Sequence, residues 1–130
     1  MGHPLALDIL VPATSPTRKR IAEILQERWR RLGIKVTVTG VDFPVFQQRL
    51  AKGQFDSYIG AYLDEPSPRG LADQWTRAGW GALNFGRYEN RAFDSLFARA
   101  EATGEPAAAH VAWREALDTL NADPPAIFLY

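Results

Sequence analysis

Two adjacent carboxylates, Asp64 and Glu65, are the residues of this sequence with the clearest capacity for acid–base chemistry. Paired carboxylates can donate and accept protons in turn at a reacting bond. Neighbouring residues on an extended segment point apart, however, and turns rich in Asp and Pro form without any catalytic role. We therefore favour a solvated turn or a ligand contact and predict no catalytic residue. A small hydrolase-type α/β enzyme that uses Asp64 and Glu65 is the alternative.

Aromatic and amide side chains form a second group of candidates. Trp75, Trp80, Asn84 and Tyr88 lie in one long irregular segment, and Tyr62 ends the apolar strand pattern before it. Open α/β sheets bind their ligands beyond the carboxyl ends of parallel strands, which is where these side chains are expected. A single tryptophan more often packs a loop onto a sheet than contacts a ligand, although two of them in one loop narrow that difference. The predicted ligand-binding residues are Tyr62, Asp64, Trp75, Trp80 and Asn84.

Other kinds of site lack the residues that they need. The sequence has no cysteine, which excludes disulfides, thiolate nucleophiles and cysteine-based zinc sites. His3 and His110 have no other metal-type ligand nearby in the sequence, and Ser57 lacks a Gly-x-Ser-x-Gly elbow. Acidic and basic residues balance at 15 each, so a polyanionic partner is not expected. We predict no metal, no cofactor and no nucleic-acid partner.

The first part of the chain has the pattern of a strand, a helix and a second strand. Leu5 to Val11 is an apolar run, after which Ser15 supplies an N-cap and Pro16 a first helical turn. Apolar residues then recur every three or four positions until Gly33 ends the helix. Ile34 to Thr39 alternates apolar and polar residues, as a half-buried strand does. This pattern predicts a helix that lies on a sheet.

The same unit is then repeated. Asp42 can cap a second helix, Gly53 ends it, and the strand Phe55 to Tyr62 follows. Crossover helices between successive strands imply parallel pairing with right-handed connections. The sequence therefore predicts an α/β fold with a mostly parallel sheet flanked by helices.

A long segment from Asp64 to Glu89 interrupts this pattern, and we expect a short helix in it near Leu71 to Trp75. Long loops in compact domains are commonly functional. Asn90 is expected to cap the next helix, and Gly104-Glu105-Pro106 to introduce the last one. Ala126 to Tyr130 has the composition of a final strand.

The length of 130 residues is enough for one domain with a true core. Residues 1–3 look like a cloning remnant, so we predict a single α/β lobe over residues 4–130. Its apolar end stops without a turn or a polar tail, which suggests a piece of a longer protein. No segment approaches the roughly 18 to 20 apolar residues that span a bilayer, and no signal peptide is visible.

The order of five motifs resembles the extracellular solute-binding proteins of family 5, the oligopeptide, dipeptide and nickel binders of ABC importers. No single motif is specific, but five in the same order are. Tyr88 to Leu96 is similar to the family's pattern Y-x-N-P-x-F-D-x-L, with Arg91 in place of the proline. The five segments span nearly the whole chain and are Arg31 to Val36, Leu50 to Asp56, Asp64 to Pro68, Tyr88 to Leu96, and Asn121 to Tyr130.

This resemblance implies a type II periplasmic-binding-protein fold, of which the chain would be the second, more C-terminal lobe. A peptide or similar small molecule would then be shut between this lobe and a missing N-terminal lobe, without catalysis. In peptide-binding members an aspartate of the proline turn anchors the ligand's amino group, and here Tyr62 or Asp64 is that contact.

The resemblance also bears on partners and location. It implies an ABC permease as the partner of the full-length protein, in the periplasm or outside the cell, and it is compatible with a lipid anchor. A free-standing interaction domain, whose exposed strand edges pair with a partner, is the remaining alternative.

Overall fold

The computed structural model describes residues 4–63 and 67–129. Asp64 and Glu65 of the acidic turn, and residues 1–3, lie outside the described residues. The chain divides into two compact units, Met1–Tyr62 and Leu63–Tyr130. The prediction that residues 4–130 form one lobe of a larger protein stays a prediction.

The first unit is a three-stranded parallel sheet with two crossover helices, as the sequence predicted. The sheet has the order β2-β1-β3, and both neighbours of the central strand run parallel to it. Ala6 lies opposite Lys35 in one pair of strands, and Ile9 lies opposite Ser57 in the other. The elements are β1 (Ala6–Pro12), α1 (Pro16–Arg30), β2 (Lys35–Val41), α2 (Phe43–Ala51) and β3 (Ser57–Tyr58).

The ends of these helices follow the local signals in the sequence, with one exception. The Ser15 hydroxyl accepts from the Arg18 amide at 3.4 Å, and Gly33 and Gly53 take positive φ angles of 80° and 66° after the helices. Asp42 occupies the N-cap position of α2, but its side chain makes no capping hydrogen bond. The predicted side-chain cap at Asp42 is therefore wrong, although the helix begins where it was expected.

The third strand is much shorter than the predicted Phe55 to Tyr62. Its pairing ends after the Ile59 amide donates to the Leu10 carbonyl at 3.2 Å. A further parallel pair would need an N–H group from Pro12, which has none. The Pro12 carbonyl already accepts from the Ser15 amide at 3.0 Å. The end of β1 therefore stops β3, which spans Ser57–Tyr58, before the predicted end at Tyr62.

The core of the first unit lies between one face of the sheet and α1. Ile9 and Val11 of β1, Val36 of β2 and Ile59 pack there with Ala22 of α1. Fully burying an aliphatic side chain stabilises a fold by about 1.5–3 kcal/mol, so this cluster is a main source of stability for the sheet. It also fixes the carboxyl end of β3, where Tyr62 follows.

The second unit is helical. A 3₁₀ turn at Pro68–Leu71 leads into the short helix α3 (Ala72–Trp75), near the predicted Leu71 to Trp75, and a second 3₁₀ turn covers Arg77–Gly79. The long helices are α4 (Arg91–Ala102) and α5 (Pro106–Ala122), which pack together through an edge-on contact of Phe97 and Trp113. No helix within the described ranges is long and apolar enough to cross a bilayer.

Both long helices begin as the sequence predicted, whereas the prediction of a final strand is wrong. The Asn90 side chain accepts from the Phe93 amide at 3.0 Å, and the Glu105 carboxylate accepts from the amides of Ala107 and Ala108. Residues 126–129 are not a strand, because the described part of this unit contains no strand with which they could pair. Apolar residues in this segment pack by their side chains instead, as in the edge-on contact of Phe128 with Trp75.

Candidate functional site

Tyr62 follows β3 beyond the carboxyl end of the parallel sheet. Its hydroxyl lies 2.7 Å from the hydroxyl of Tyr58, and both side chains are half-buried. Edge-on contacts with Phe55 and Phe46, at ring-centroid distances of 5.0 and 6.3 Å, surround the Tyr58 ring. Burial raises the pKa of Tyr58, and the hydrogen bond with Tyr62 raises it further. Tyr58 is therefore a protonated phenol at neutral pH, next to the Tyr62 hydroxyl.

Asp64, the other candidate for the main contact in the acidic turn, lies outside the described residues together with Glu65. Its predicted contact with a ligand stays a prediction. The described part of the turn resumes at Ser67, whose hydroxyl accepts from the Arg69 amide at 3.3 Å and begins the first 3₁₀ turn of the second unit.

Trp80 is the partly exposed aromatic side chain of the long loop in the second unit. It is 37% exposed, and its indole Nε1 donates to the Tyr88 carbonyl at 3.0 Å. The guanidinium of Arg77 lies over the ring, 5.0 Å from its centroid, and forms an ion pair with Glu89. Such a cation–π contact at an exposed site contributes about 0.5–1 kcal/mol. The indole is therefore held in place while part of its surface remains open to a ligand.

Asn84 lies beneath this loop and is only 2% exposed. Its Nδ2 donates to the carbonyls of Thr76 and Tyr88, each at 2.9 Å, and its Oδ1 accepts from the Tyr88 amide at 2.8 Å. Both amide protons of the side chain are thus used by the loop's own backbone. This geometry makes Asn84 the residue that holds the two ends of the loop together. A ligand contact in which Asn84 donates a hydrogen bond would require one of these two donated bonds to break.

Tyr88 connects the loop to the end of α5. Its hydroxyl donates to the Asp123 carbonyl at 2.8 Å, and the Asp123 carboxylate also accepts from Asn90 Nδ2 at 3.1 Å. Burial raises the pKa of Tyr88, with a smaller contribution from the charge of Asp123. Sequence reasoning did not identify Thr76 or Asp123 as parts of the loop's support, because their partners lie eight and 35 positions away, beyond the reach of a local turn or capping pattern.

Trp75 is 8% exposed, and its ring meets Phe128 edge-on with 6.0 Å between the centroids. These contacts are those of a tryptophan that packs the fold, which is the alternative to ligand contact at this position. Of the predicted ligand residues, the structure brings Trp80 and Asn84 together, since both donate to the Tyr88 carbonyl. Tyr62 belongs to the first unit.

A separate open pocket of about 390 Å³ lies in the first unit. It is lined by Asp8, Thr39, Arg49, Gln54, Phe55 and Asp56, and contains none of the predicted ligand residues. Thr39 Oγ1 donates to Asp8 Oδ1 at 2.5 Å, and Asp56 accepts from the Asp8 amide at 2.8 Å. Within residues 4–63 and 67–129, no three His, Cys, Asp or Glu side chains are grouped as a metal ion would require.

Comparison with known proteins agrees with the motifs in the sequence. The family model described as "Bacterial extracellular solute-binding proteins, family 5 Middle" matches residues 2–82. A binding protein of Brucella melitensis is 34% identical over 101 residues, which are 73% of this chain and 16% of that protein. The chain therefore spans about a sixth of the length of this relative.

Solved structures show the same fold at lower identity. The murein tripeptide binding protein MppA of Escherichia coli has a TM-score of 0.81 and 23% identity, over 94% of this chain and 24% of that one. DppA of Helicobacter pylori in complex with the peptide STSA has a TM-score of 0.81 and 17% identity, over 94% and 24%. OppA of Burkholderia pseudomallei has a TM-score of 0.84 and 22% identity, over 95% and 24%. The predicted type II periplasmic-binding-protein fold is confirmed.

Proposed function

Because this chain belongs to the bacterial extracellular solute-binding proteins of family 5, we propose that it is one non-catalytic lobe of a substrate-binding protein for an ABC importer. Proteins of this family are periplasmic or extracellular binding proteins. The family match over residues 2–82 is the observation that carries the proposal. The solute is a peptide or a similar small molecule, and the full-length protein delivers it to a permease from the periplasm or the cell exterior.

The assignment to a single lobe is supported by the share of the relatives that the chain covers. It spans 16% of the Brucella protein and 24% of the H. pylori structure that holds the peptide STSA. The remainder of such a protein would supply the opposite wall of the cleft and the hinge that closes it. Alone, this lobe offers only part of the contacts and no enclosure, so its own affinity for a peptide is low.

Within the lobe we assign direct ligand contact to Tyr62, Trp80 and Asp64. The Tyr62 hydroxyl can hydrogen-bond a peptide group, the open part of the Trp80 indole can pack on an apolar side chain, and the Asp64 carboxylate can pair with a terminal ammonium group. Asn84 and Trp75 support the loop from within, because the first is bonded to its backbone and the second packs on Phe128. Ligand specificity then depends on Asn84 through the position of Trp80, because both side chains donate to the Tyr88 carbonyl.

Isothermal titration of the 130-residue chain with the peptide STSA tests the assignment to one lobe. We expect a dissociation constant of about 1 mM or weaker, which corresponds to about 4 kcal/mol of binding free energy. Micromolar binding would contradict it, because the chain would then be a complete binding domain. Mass spectrometry of the same samples tests the alternative enzyme. The peptide should stay intact, whereas cleavage that is lost in an Asp64→Asn, Glu65→Gln double variant would establish a hydrolase.

A further inference from the structure

The Tyr58 ring is fixed from several sides at the end of β3. Phe55 and Phe46 both meet it edge-on, and its backbone is part of the pairing with Leu10 of β1. A ring held by edge-on aromatic neighbours and by its own strand has few alternative rotamers. The position of the Tyr58 hydroxyl is therefore set by the sheet and by α2, which carries Phe46.

The backbone at Gly60 lies close to another part of the same ring. A Cβ atom at Gly60 would lie 2.8 Å from Tyr58 Cε2 and 3.4 Å from Cδ2, so the backbone that leaves β3 runs directly over the ring. The shorter distance is below what real Cβ atoms show, and the ring cannot move away easily because Phe55 and Phe46 lie against it. Any side chain at Gly60 must displace either the Tyr58 ring or the chain that leads to Tyr62.

We propose that Tyr58 and Gly60 are positioning residues for the ligand contact of Tyr62. The Tyr58 hydroxyl, 2.7 Å from that of Tyr62, fixes where the latter lies, and Gly60 lets the intervening backbone pass close enough for the two to meet. This inference rests on the proposed function, in which Tyr62 contacts the solute. It adds a specificity determinant that does not itself touch the ligand.

The protonation of Tyr58 supports the pair at all moderate pH values. Because burial raises the pKa of this phenol, the proton that joins the two hydroxyls is present wherever the protein is folded near neutrality. A hydrogen bond weakens steeply when its distance or angle departs from the optimum, so a fixed Tyr58 hydroxyl restricts the position of the Tyr62 hydroxyl.

Four variants of the whole chain test the proposal: Tyr58→Phe, Gly60→Ala, Tyr62→Phe and Ser57→Ala. The first removes one hydroxyl from the pair and keeps the ring, and the second displaces the ring or the chain. Ser57→Ala is the matched control, because it removes a hydroxyl hydrogen bond of the same strand, from Ser57 Oγ to the Asp8 carbonyl at 2.8 Å, which does not involve Tyr62.

The readouts are the NMR signal of the Tyr62 ring, labelled at Cζ, without ligand and the affinity for the peptide STSA in a titration followed by NMR. Tyr58→Phe and Gly60→Ala should shift the Tyr62 signal and weaken peptide binding about three- to tenfold, as the loss of one hydrogen bond does. Ser57→Ala should leave both unchanged. A Tyr58→Phe variant with an unshifted Tyr62 signal and unchanged affinity overturns the inference, whether or not Gly60→Ala folds.

Tyr62→Phe separates this inference from the proposed function. If it weakens binding while Tyr58→Phe does not, the positioning role is wrong and the ligand contact stands. If Tyr62→Phe leaves the affinity unchanged, the ligand contact itself is wrong.

Discussion

The sheet of the first unit and the loop between α3 and α4 of the second unit are each stabilised internally by different interactions. In the first unit, parallel backbone ladders and an apolar cluster of Ile9, Val11, Val36 and Ile59 with Ala22 provide the order. In the second unit, the loop between α3 and α4 takes its shape from polar side chains bonded to backbone groups. Asn84 alone makes three such bonds and is almost completely buried.

This difference decides how each unit responds to a small chemical change. Apolar packing spreads its free energy over many weak contacts, so the loss of one methyl group costs little. A buried polar group that loses its partner costs the full desolvation of that group, about 1–3 kcal/mol each. We therefore expect the loop between α3 and α4, and the position of Trp80 with it, to depend on single polar atoms, whereas the apolar cluster of the first unit tolerates the loss of a methyl group.

The largest effect is expected for Gly79→Ala in the second unit. A Cβ atom there would lie 2.2 Å from the Asp73 carbonyl oxygen and 2.6 Å from its carbon, both rigid backbone atoms of α3. We expect a loss of about 3 kcal/mol or more in the free energy of unfolding, measured with urea. Gly86→Ala is the control, because nothing lies within 4 Å of a Cβ atom there. Equal losses of unfolding free energy in the two variants would contradict the close approach of Gly79 to the Asp73 carbonyl.

Asn84→Asp should have the next largest effect, a loss of about 3 kcal/mol. The carboxylate cannot donate to the Thr76 and Tyr88 carbonyls, and it places an anionic oxygen against them. Acrylamide quenching should also show greater exposure of Trp80, whose indole bonds the same Tyr88 carbonyl. The exposed Asn121 provides the control variant Asn121→Asp. An Asn84→Asp protein as stable as this control would mean that polar bonds do not organise the loop.

Ile9→Val in the first unit should cost only about 1 kcal/mol, although Ile9 is 2% exposed and central to the apolar cluster. Urea unfolding followed by the fluorescence of Trp29, which packs against this cluster, measures it. A larger loss of unfolding free energy for Ile9→Val than for Asn84→Asp would contradict the contrast between the apolar cluster and the polar loop.

The smallest effect concerns a surface ion pair on α1. Hydrogen bonds from Arg30 and Arg31 lower the pKa of Glu27 from 4.5 to about 2. Since the folded pKa is the lower one, the contribution of Glu27 to stability is full above pH 4.5 and is lost as the pH falls towards 2. The difference in Tm between wild type and Glu27→Gln should therefore be small at pH 6 and shrink further towards pH 2.5. A difference in Tm that grows as the pH falls would contradict the lowered pKa of Glu27.

The same contrast explains how much could be predicted from the sequence. Ser15 and Asn90 cap helices through bonds to residues three positions away, so a local pattern identifies them. The bond from Tyr88 to Asp123 spans 35 positions and leaves no local signal. Sequence reasoning therefore found the parallel α/β order and the helices, and it selected Trp80 and Asn84 without the network that joins them.

The two strand predictions that were wrong, the length of β3 and the final strand, failed for a related reason. A strand needs a partner as well as a suitable composition. The third strand ends early since Pro12 cannot extend the ladder, and residues 126–129 have no strand to pair with in the described part of their unit. Composition alone does not contain this information. The family resemblance added the predictions of a ligand class and of a single lobe, which local patterns could not supply.

The indole N–H signals of the four tryptophans give the most direct test of the claim that this chain carries part of a peptide site. In ¹H–¹⁵N spectra of the whole chain titrated with millimolar STSA, the signal of Trp80 should move progressively with the Tyr62 amide. The signals of Trp29, in α1, and of Trp113, which lies in α5 and contacts Phe97 of α4, should not shift. Unchanged Trp80 and Tyr62 signals, or equal shifts of Trp29 and Trp113, would contradict the claim.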